Sequence, residues 1–474
     1  MRFFNTAGPV VSTDHYCLPP LERFNLTELL SLINQKKYFV LHAPRQTGKT
    51  TCLLALMDYL NKQDKVKCLY LNVEIAQSAR EDVYEGIRAI MGELSQRADN
   101  HIQDSFCIDN WQTILNGFGG HKALNGLLTE WCKQSDKPIV LLMDEIDSLI
   151  GDTLISVLRQ LRAGYDKRPL HFPQSIILCG VRDVRDYRIH SDSEKTVITG
   201  GSAFNIRAES LRLGDFTEQE MRDLYGQHTG ETGRMFLPES LELAWEYTNG
   251  QPWIVNALGY ETCFRLSEEN RSSPITVEMM AQAKENLILR RETHLDQLAD
   301  KLKEDRVFRV IHPMLQGLDM DKSVTDEDVQ YLLDLGLLRQ SVAGMVISNA
   351  IYREIIPRQI THITQLNLEN RIQPTWYIRE DGFLDMKKLL SAFQEFFQEH
   401  SEHWIERFDY KEAGPQLLLQ AFMQRIVNGG GRIEREYGLG RMRTDLLVIW
   451  QAKGQMAEDT GQRASVIRLK PSGW

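Results

Sequence analysis

Four short apolar runs, "KYFVLHA", "VKCLYLNV", "PIVLLMDE" and "QSIILCGV", punctuate residues 1–212. Each is rich in Val, Ile and Leu, as strands covered on both faces should be. Between them, "TTCLLALMDYLNKQ" and "DTLISVLRQLRAG" repeat their apolar positions at helical spacing. Strands alternating with helices predict a parallel α/β sheet over 1–212.

From about Phe216 the strand signal fades. "FTEQEMRDLYGQHTG", "PESLELAWEYTNG" and "QPWIVNALGYETCFRLSEE" read as helices separated by Gly and Pro stops, and they predict a helical lid over 213–296. A third unit, 297–360, holds a helix ending at Gly336 and "LLRQSVAGMVIS", a hairpin turning at Gly344. Helices followed by a hairpin predict a winged helix there, and a small packing domain without DNA contact fits the same pattern. The last unit, 375–474, opens with "MKKLLSAFQEFFQEH" and continues as a helix, a glycine stop and two strand-like runs around "GLGR".

Composition narrows the class. A chain of 474 residues exceeds one ordinary core, so several domains are expected. With 42% hydrophobic and 25% charged residues, and no apolar run of roughly 18 residues, the expectation is a soluble protein without a membrane span. The N-terminus lacks the basic start and apolar stretch of a secretory signal, and seven scattered cysteines form no C-x-x-C pair. These features predict a cytoplasmic protein with reduced thiols. The net charge of −10 excludes coating of nucleic acid by the whole surface and leaves room only for a local basic patch.

The chemistry starts at "LHAPRQTGKTT". In a phosphate-binding loop, backbone N–H groups wrap phosphates at a helix N-terminus, where the helix dipole favours negative charge. The loop residues are Ala43, Pro44, Arg45, Gln46, Thr47, Gly48, Lys49, Thr50 and Thr51. Lys49 is placed for the β- and γ-phosphates and Thr50 for Mg²⁺. Gly48 stands where the backbone passes closest to phosphate. Ala43 replaces the usual first glycine, a mild departure at a strand exit where the smallest side chain fits. "IVLLMDEID" supplies the second half of the site: Asp144 to hold Mg²⁺ through water and Glu145 to polarise the attacking water. Asp147 reads as a helix-starting carboxylate. In nucleotidases of this kind one strand lies between the loop strand and the acidic strand, and "SIILCGVRD" fits it. Its tip puts Arg182 near the γ-phosphate, although pairing with Asp183 or another acid fits equally. Arg159 and Arg162 are alternative arginine fingers across a subunit interface, or solvated helix arginines.

"PRQTGKTT", "LLMDEID", Arg182 and "TNGQPWIVNAL" together resemble the AAA-related STAND and archaeal-type ATPases, a branch close to the origin-recognition ATPases. The resemblance implies an ASCE-type P-loop core, a lid whose Gly250 and Pro252 pack against the nucleotide base, and a winged helix after it. It implies ATP as the nucleotide, and no N/T-K-x-D guanine reader follows the sensor strand. The segment before the first strand often helps hold the base in such proteins, which points to Tyr16 or Pro19 in "HYCLPPLERF".

"GGGRIEREYGLGRMRTDLLVIW" looks like the start of a PD-(D/E)XK nuclease core. Such a core needs two acids and a lysine on adjacent strands to hold Mg²⁺ and balance charge. Asp445 fits the first acid, with Glu434 or Glu436 as a further ligand, and Lys470 fits the lysine. Arg468 stands where the second acid belongs and would repel a metal, so the unit is expected to be degenerate or incomplete. The functional expectation is a Mg²⁺-dependent ATPase that switches or remodels, linked to DNA through the winged helix. The alternatives are a nucleotide-gated nucleic-acid effector and a non-hydrolysing ATP-binding adaptor. Arg468 predicts that the protein does not cut plasmid DNA in Mg²⁺; cutting that vanishes in Asp445→Ala would establish an active nuclease instead.

Overall fold

The structure, a computed structural model, describes residues 1–183, 188–191, 196–199, 204–266, 273–290, 300–316, 324–341, 344–360, 379, 384–400, 431–439, 442–450 and 464–467. The chain divides into two compact units, Met1–Leu287 with Tyr331–Leu338, and Ile288–Gln330 with Arg339–Trp474.

The first unit runs α1 (Leu26–Asn34), β1 (Tyr38–His42), α2 (Lys49–Lys62), β2 (Lys67–Asn72), α3 (Val83–Ile102), α4 (Phe106–Phe118), α5 (Ala123–Gln134), β3 (Ile139–Asp144), α6 (Gly151–Ala163) and β4 (Ser175–Gly180). A hairpin of β5 (Arg188–Ser191) and β6 (Thr196–Thr199) follows, then β7 (Arg207–Arg212). Five strands pair in parallel in the order β2-β3-β4-β1-β7, the sheet of a P-loop nucleotidase. β4 lies between the loop strand β1 and the acidic strand β3, where the sequence places it. β7 and the β5–β6 hairpin were not legible, because "RAESLR" is a polar run without the apolar continuity of the other strands.

Strand alternation feeds two cores. Tyr38, Val40, Leu69, Leu71, Leu141 and Met143 face α3, α4, α5 and α6. Phe39, Leu41, Cys68, Val140, Leu142 and Ile177 face α1 and α2. Successive strand residues point to opposite faces, so a run buried on both sides must be apolar throughout. The register Asn72↔Asp144 and Met143↔Leu178 brings the carboxyl ends of β2, β3 and β4 level, and ligands of open α/β sheets gather along that edge. All seven cysteines are free, and six are buried.

The lid is helical: α7 (Glu218–Thr232), α8 (Pro238–Thr248), α9 (Pro252–Tyr260) and α10 (Val277–Arg290). Thr217 and Glu220 form a capping box that starts α7. Gly250 has φ +79°, and its amide-side neighbours leave no room: a Cβ there would lie 1.9 Å from the Phe216 carbonyl oxygen. That carbonyl region is locked to the lid, since Phe216 N–H donates to the Gly250 carbonyl at 2.8 Å.

The second unit contributes α11 (Asp305–Gln316), α12 (Asp326–Asp334), β8 (Leu338–Ser341), β9 (Gly344–Ile347), α13 (Ala350–Ile360) and α14 (Met386–His400), with the end of α12 and the first residue of β8 belonging to the first unit. Residues 305–360 hold two helices, the β8–β9 hairpin and α13, in that order. β10 (Gly431–Leu439), β11 (Met442–Trp450) and β12 (Ala464–Ile467) form an antiparallel sheet in that order. Asp445 sits on β11, and Glu434 and Glu436 on the paired β10. Arg468 and Lys470 lie outside the described residues. Among the described residues, no helix is long and apolar enough to cross a membrane.

Because Gly250 combines a left-handed backbone with a carbonyl in Cβ space, Gly250→Ala should destabilise the folded chain by at least ~2 kcal/mol. Urea or thermal unfolding checks this, and an unchanged midpoint would show that the Phe216 segment yields freely.

Candidate functional site

The loop after β1 is shaped by its own hydrogen bonds. Gln46 (φ 59°) and Gly48 (φ 92°) take left-handed conformations, and Gly48 caps α2. Thr47 Oγ1 donates to the Pro44 carbonyl at 2.9 Å, closing the turn. Lys49 is buried, and its Nζ donates to the carbonyls of Ala43 and Pro44, both at 2.9 Å. These carbonyls satisfy an ammonium held directly behind the amides of the loop. Ala43 is fully buried at the strand exit, where its N–H donates to the Gly180 carbonyl. Arg45 and Gln46 are exposed.

At the β3 tip, the buried Asp144 carboxylate gathers three donors. Thr50 Oγ1 donates to Oδ2 at 2.7 Å, Tyr70 OH donates to the same oxygen at 3.0 Å, and Glu145 N–H donates to Oδ1 at 2.9 Å. Thr50 and Asp144 thus present two hard oxygens side by side, a donor set that suits Mg²⁺. Glu145 is half-buried with φ 58°. Burial, reinforced by Asp147 and Asp144, pushes its carboxyl above the usual range, so it is a better proton acceptor than a solvated glutamate. Asp147 starts no long helix; its Oδ1 accepts from Val181 N–H at 3.1 Å and ties the turn after β3 to the β4 end.

A cleft opens beside the loop. Gln46, Thr47, Gly48 and Thr51 form one wall; Phe216, Pro252, Trp253 and Asn256 form the lid wall. The N-terminal arm, from Asn5 to Val10 and from Tyr16 to Leu18, closes the third side. The arm binds both other walls. Val10 N–H donates to Thr51 Oγ1 at 3.0 Å, and Trp253 Nε1 donates to the Thr6 carbonyl at 2.9 Å. Cys17 and Gln227 exchange two hydrogen bonds, and Arg2 pairs with Glu231 at 3.1 Å. Arg23 bridges the carbonyls of Thr47 and Gly214 while its guanidinium lies 4.5 Å above the Phe216 ring.

Residues 33–187 match the family model of an AAA domain. With a phosphate loop and an acidic strand tip on a five-stranded parallel sheet, this part of the chain has the fold of a P-loop ATPase. Among solved structures, the chain is similar to a Walker-type ATPase of Pyrococcus abyssi, PABY2304, at 14% identity and a TM-score of 0.46, over 74% of this chain and 99% of that one. It is similar to Cdc6p of Pyrobaculum aerophilum at 17% identity and a TM-score of 0.39, over 73% and 95%. The RuvB Holliday junction branch migration motor of Thermotoga maritima aligns at 14% identity and a TM-score of 0.36, over 70% and 93%. No curated protein matches the sequence.

The structure distributes the remaining sequence-predicted residues unevenly. Lys49, Thr50, Asp144 and Glu145 converge on one strand edge with the loop. Pro252 opens α9 and lines the cleft, whereas Gly250 lies behind it as the turn that seats Phe216. Tyr16 is buried on the arm; Pro19 is exposed, and its neighbours Leu18 and Pro20 line the cleft instead. Arg182, at the end of β4, places its Nε 3.8 Å from Asp334 and its guanidinium 4.8 Å above the Tyr331 ring. Arg159 and Arg162 are exposed on α6. Tyr70, Arg23 and Trp253 escaped the sequence reading. Tyr70 in particular is an ordinary strand residue until β2 pairs with β3.

Tyr16 OH lies 3.1 Å from His228 Nδ1 in the arm–lid contact, and burial holds the His228 ring down to about 4. The unfolded histidine titrates near 6.5, so between about pH 6.5 and 4 the unfolded chain binds a proton that the folded lid refuses. Stability therefore falls as pH drops through that window, by on the order of 3 kcal/mol from this group. His228→Asn should lose markedly less stability across the window in urea titrations at stepped pH; parallel curves would show that the folded lid does not depress the titration of His228.

Proposed function

We propose that this chain is a Mg²⁺-dependent ATPase of the AAA-related STAND/archaeal type, which uses ATP binding and hydrolysis to switch or remodel a partner. The observation that carries the reading is the meeting of Lys49, Thr50, Asp144 and Glu145 at one sheet edge. The loop amides and the α2 N-terminus receive the phosphates, and the Lys49 ammonium exchanges the Ala43 and Pro44 carbonyls for phosphate oxygens. Thr50 and Asp144 would hold Mg²⁺, which would supply positive charge to offset that of the phosphates. Glu145, with its basicity raised by burial, orients a water and takes its proton as the water attacks the γ-phosphorus and the bond to the β–γ bridging oxygen breaks, releasing ADP and phosphate. Arg182 at the β4 tip meets the charge developing on the γ-phosphate. The apolar lid wall of Pro252 and Trp253, facing the arm, suits a flat adenine base.

The helix, helix, hairpin, helix order of 297–360 supports a winged helix as the DNA-contacting part, and the exposed Arg159 and Arg162 suit arginine fingers between copies. DNA binding through such a unit should weaken steeply as salt rises, since phosphate contacts release counterions. The antiparallel β10-β11-β12 sheet carrying Asp445 favours, as a second reading, a nucleotide-gated effector whose nuclease-like unit binds rather than cuts. A pure ATP clamp has no use for Glu145.

Glu145→Gln should keep ATP affinity while turnover falls at least about a hundredfold, as measured by phosphate release alongside equilibrium binding. Absence of turnover in the native chain would sink the ATPase reading. Tyr70→Phe removes one donor from Asp144 and keeps the ring. It should raise the Mg²⁺ concentration needed for half-maximal turnover by roughly 2- to 10-fold, leaving Mg²⁺-free ATP binding unchanged.

A further inference from the structure

Asp334 is a carboxylate at the end of α12 that the chemistry above does not use. It is only 2% exposed, which is costly for a charge without a cation beside it. A cation beside it is Arg182, with Nε 3.8 Å from Asp334 Oδ2 and the guanidinium 4.8 Å above the Tyr331 ring. Two further footholds hold the same stretch on the strand edge. Arg212, at the end of β7, donates from Nη2 to the Leu333 carbonyl at 3.1 Å. Gly336 closes α12 with φ +72°, its N–H donating to Leu333 and that of Leu337 to Leu332. It lies so close to the phosphate loop that a Cβ would meet Pro44 Cγ at 2.8 Å.

We propose that Tyr331–Leu338 is a nucleotide-sensing latch, in which Asp334 and the γ-phosphate of ATP compete for Arg182. The proposal rests on the ATPase reading and deepens it. The first foothold, the Arg182 guanidinium, is the group that the γ-phosphate itself recruits in that reading. A γ-phosphate that takes the guanidinium withdraws this charge from the buried Asp334 carboxylate, so the segment lifts or ATP binds less tightly. ADP has no γ-phosphate and leaves the Arg182–Asp334 pair intact. By linkage, whatever holds the latch down lowers affinity for ATP relative to ADP by the same factor with which ATP loosens the latch.

The test uses the full chain with Mg²⁺ and no nucleotide, ADP, or a non-hydrolysable ATP analogue. Hydrogen exchange is followed over 331–338, and nucleotide affinities are measured in parallel. Protection should be similar without nucleotide and with ADP, and exchange should quicken on the order of tenfold with the analogue. Asp334→Asn should exchange quickly in every state and tighten the analogue severalfold without changing ADP affinity. A merely structural role would move both affinities or neither. Gly336→Ala, which pushes against Pro44 without altering charge, should raise the same affinity ratio and covers the case in which Asp334→Asn folds poorly. Binding of the analogue with unchanged exchange, or equal shifts in both affinities, overturns the latch and leaves the ATPase reading standing. Failure to bind either nucleotide overturns both.

Discussion

The Asp144 carboxylate is the constraint on which the nucleotide end of the sheet depends. Thr50 comes from the first turn of α2, Tyr70 from β2 and the Glu145 amide from the turn after β3, and all three donate to this one side chain. A buried carboxylate with three donors is held in one rotamer, and each donor in turn fixes an element. The phosphate loop is thereby positioned against the acidic strand before any ligand arrives. Preorganisation matters because the catalytic effect of charged groups is lost when they must reorganise during reaction. The same bonds leave Glu145 one residue further on, half-buried beside two other acids, where its proton affinity rises.

Lys49 shows the complementary economy. An ammonium buried beside a sheet is expensive unless its protons are taken, and the Ala43 and Pro44 carbonyls take two of them. Those carbonyls are weaker partners than phosphate oxygens, so on the proposed reading the ammonium would exchange them for the phosphates of a nucleotide. Ala43 in place of glycine is harmless here because its N–H and carbonyl do the work and its methyl is absorbed in the core.

Much of this was legible in the residues. Continuous apolar runs marked β1 to β4 because a parallel sheet covered on both faces has no polar positions to interrupt them. β7 was hidden by the same logic, since "RAESLR" lacks that continuity. Local motifs located Lys49, Thr50, Asp144 and Glu145, whose chemistry depends on neighbours along the chain. Residues whose role depends on partners far along the chain could not be read: Tyr70 needed the β2–β3 register, and Trp253 needed the Thr6 carbonyl. For the C-terminal unit, the strands carrying Glu434, Glu436 and Asp445 were anticipated, but the decisive position, Arg468, lies outside the described residues.

The arm and lid explain why the site needs residues from so many places. A phosphate loop alone grips phosphates and leaves a base in solvent. Here the third wall is the N-terminal arm, and its bonds run to α2 through Thr51, to α7 through Gln227 and Glu231, and to α9 through Trp253. The arm is therefore a strap between loop and lid. Arg23 adds a clasp across the same gap, joining the Thr47 carbonyl of the loop to the Gly214 carbonyl that leads into the lid. On the proposed reading, a base seated among Pro252, Trp253 and the arm would touch groups on both sides of that strap. Its binding would hold loop and lid in one arrangement, so that the state of the phosphates would be felt beyond the sheet edge.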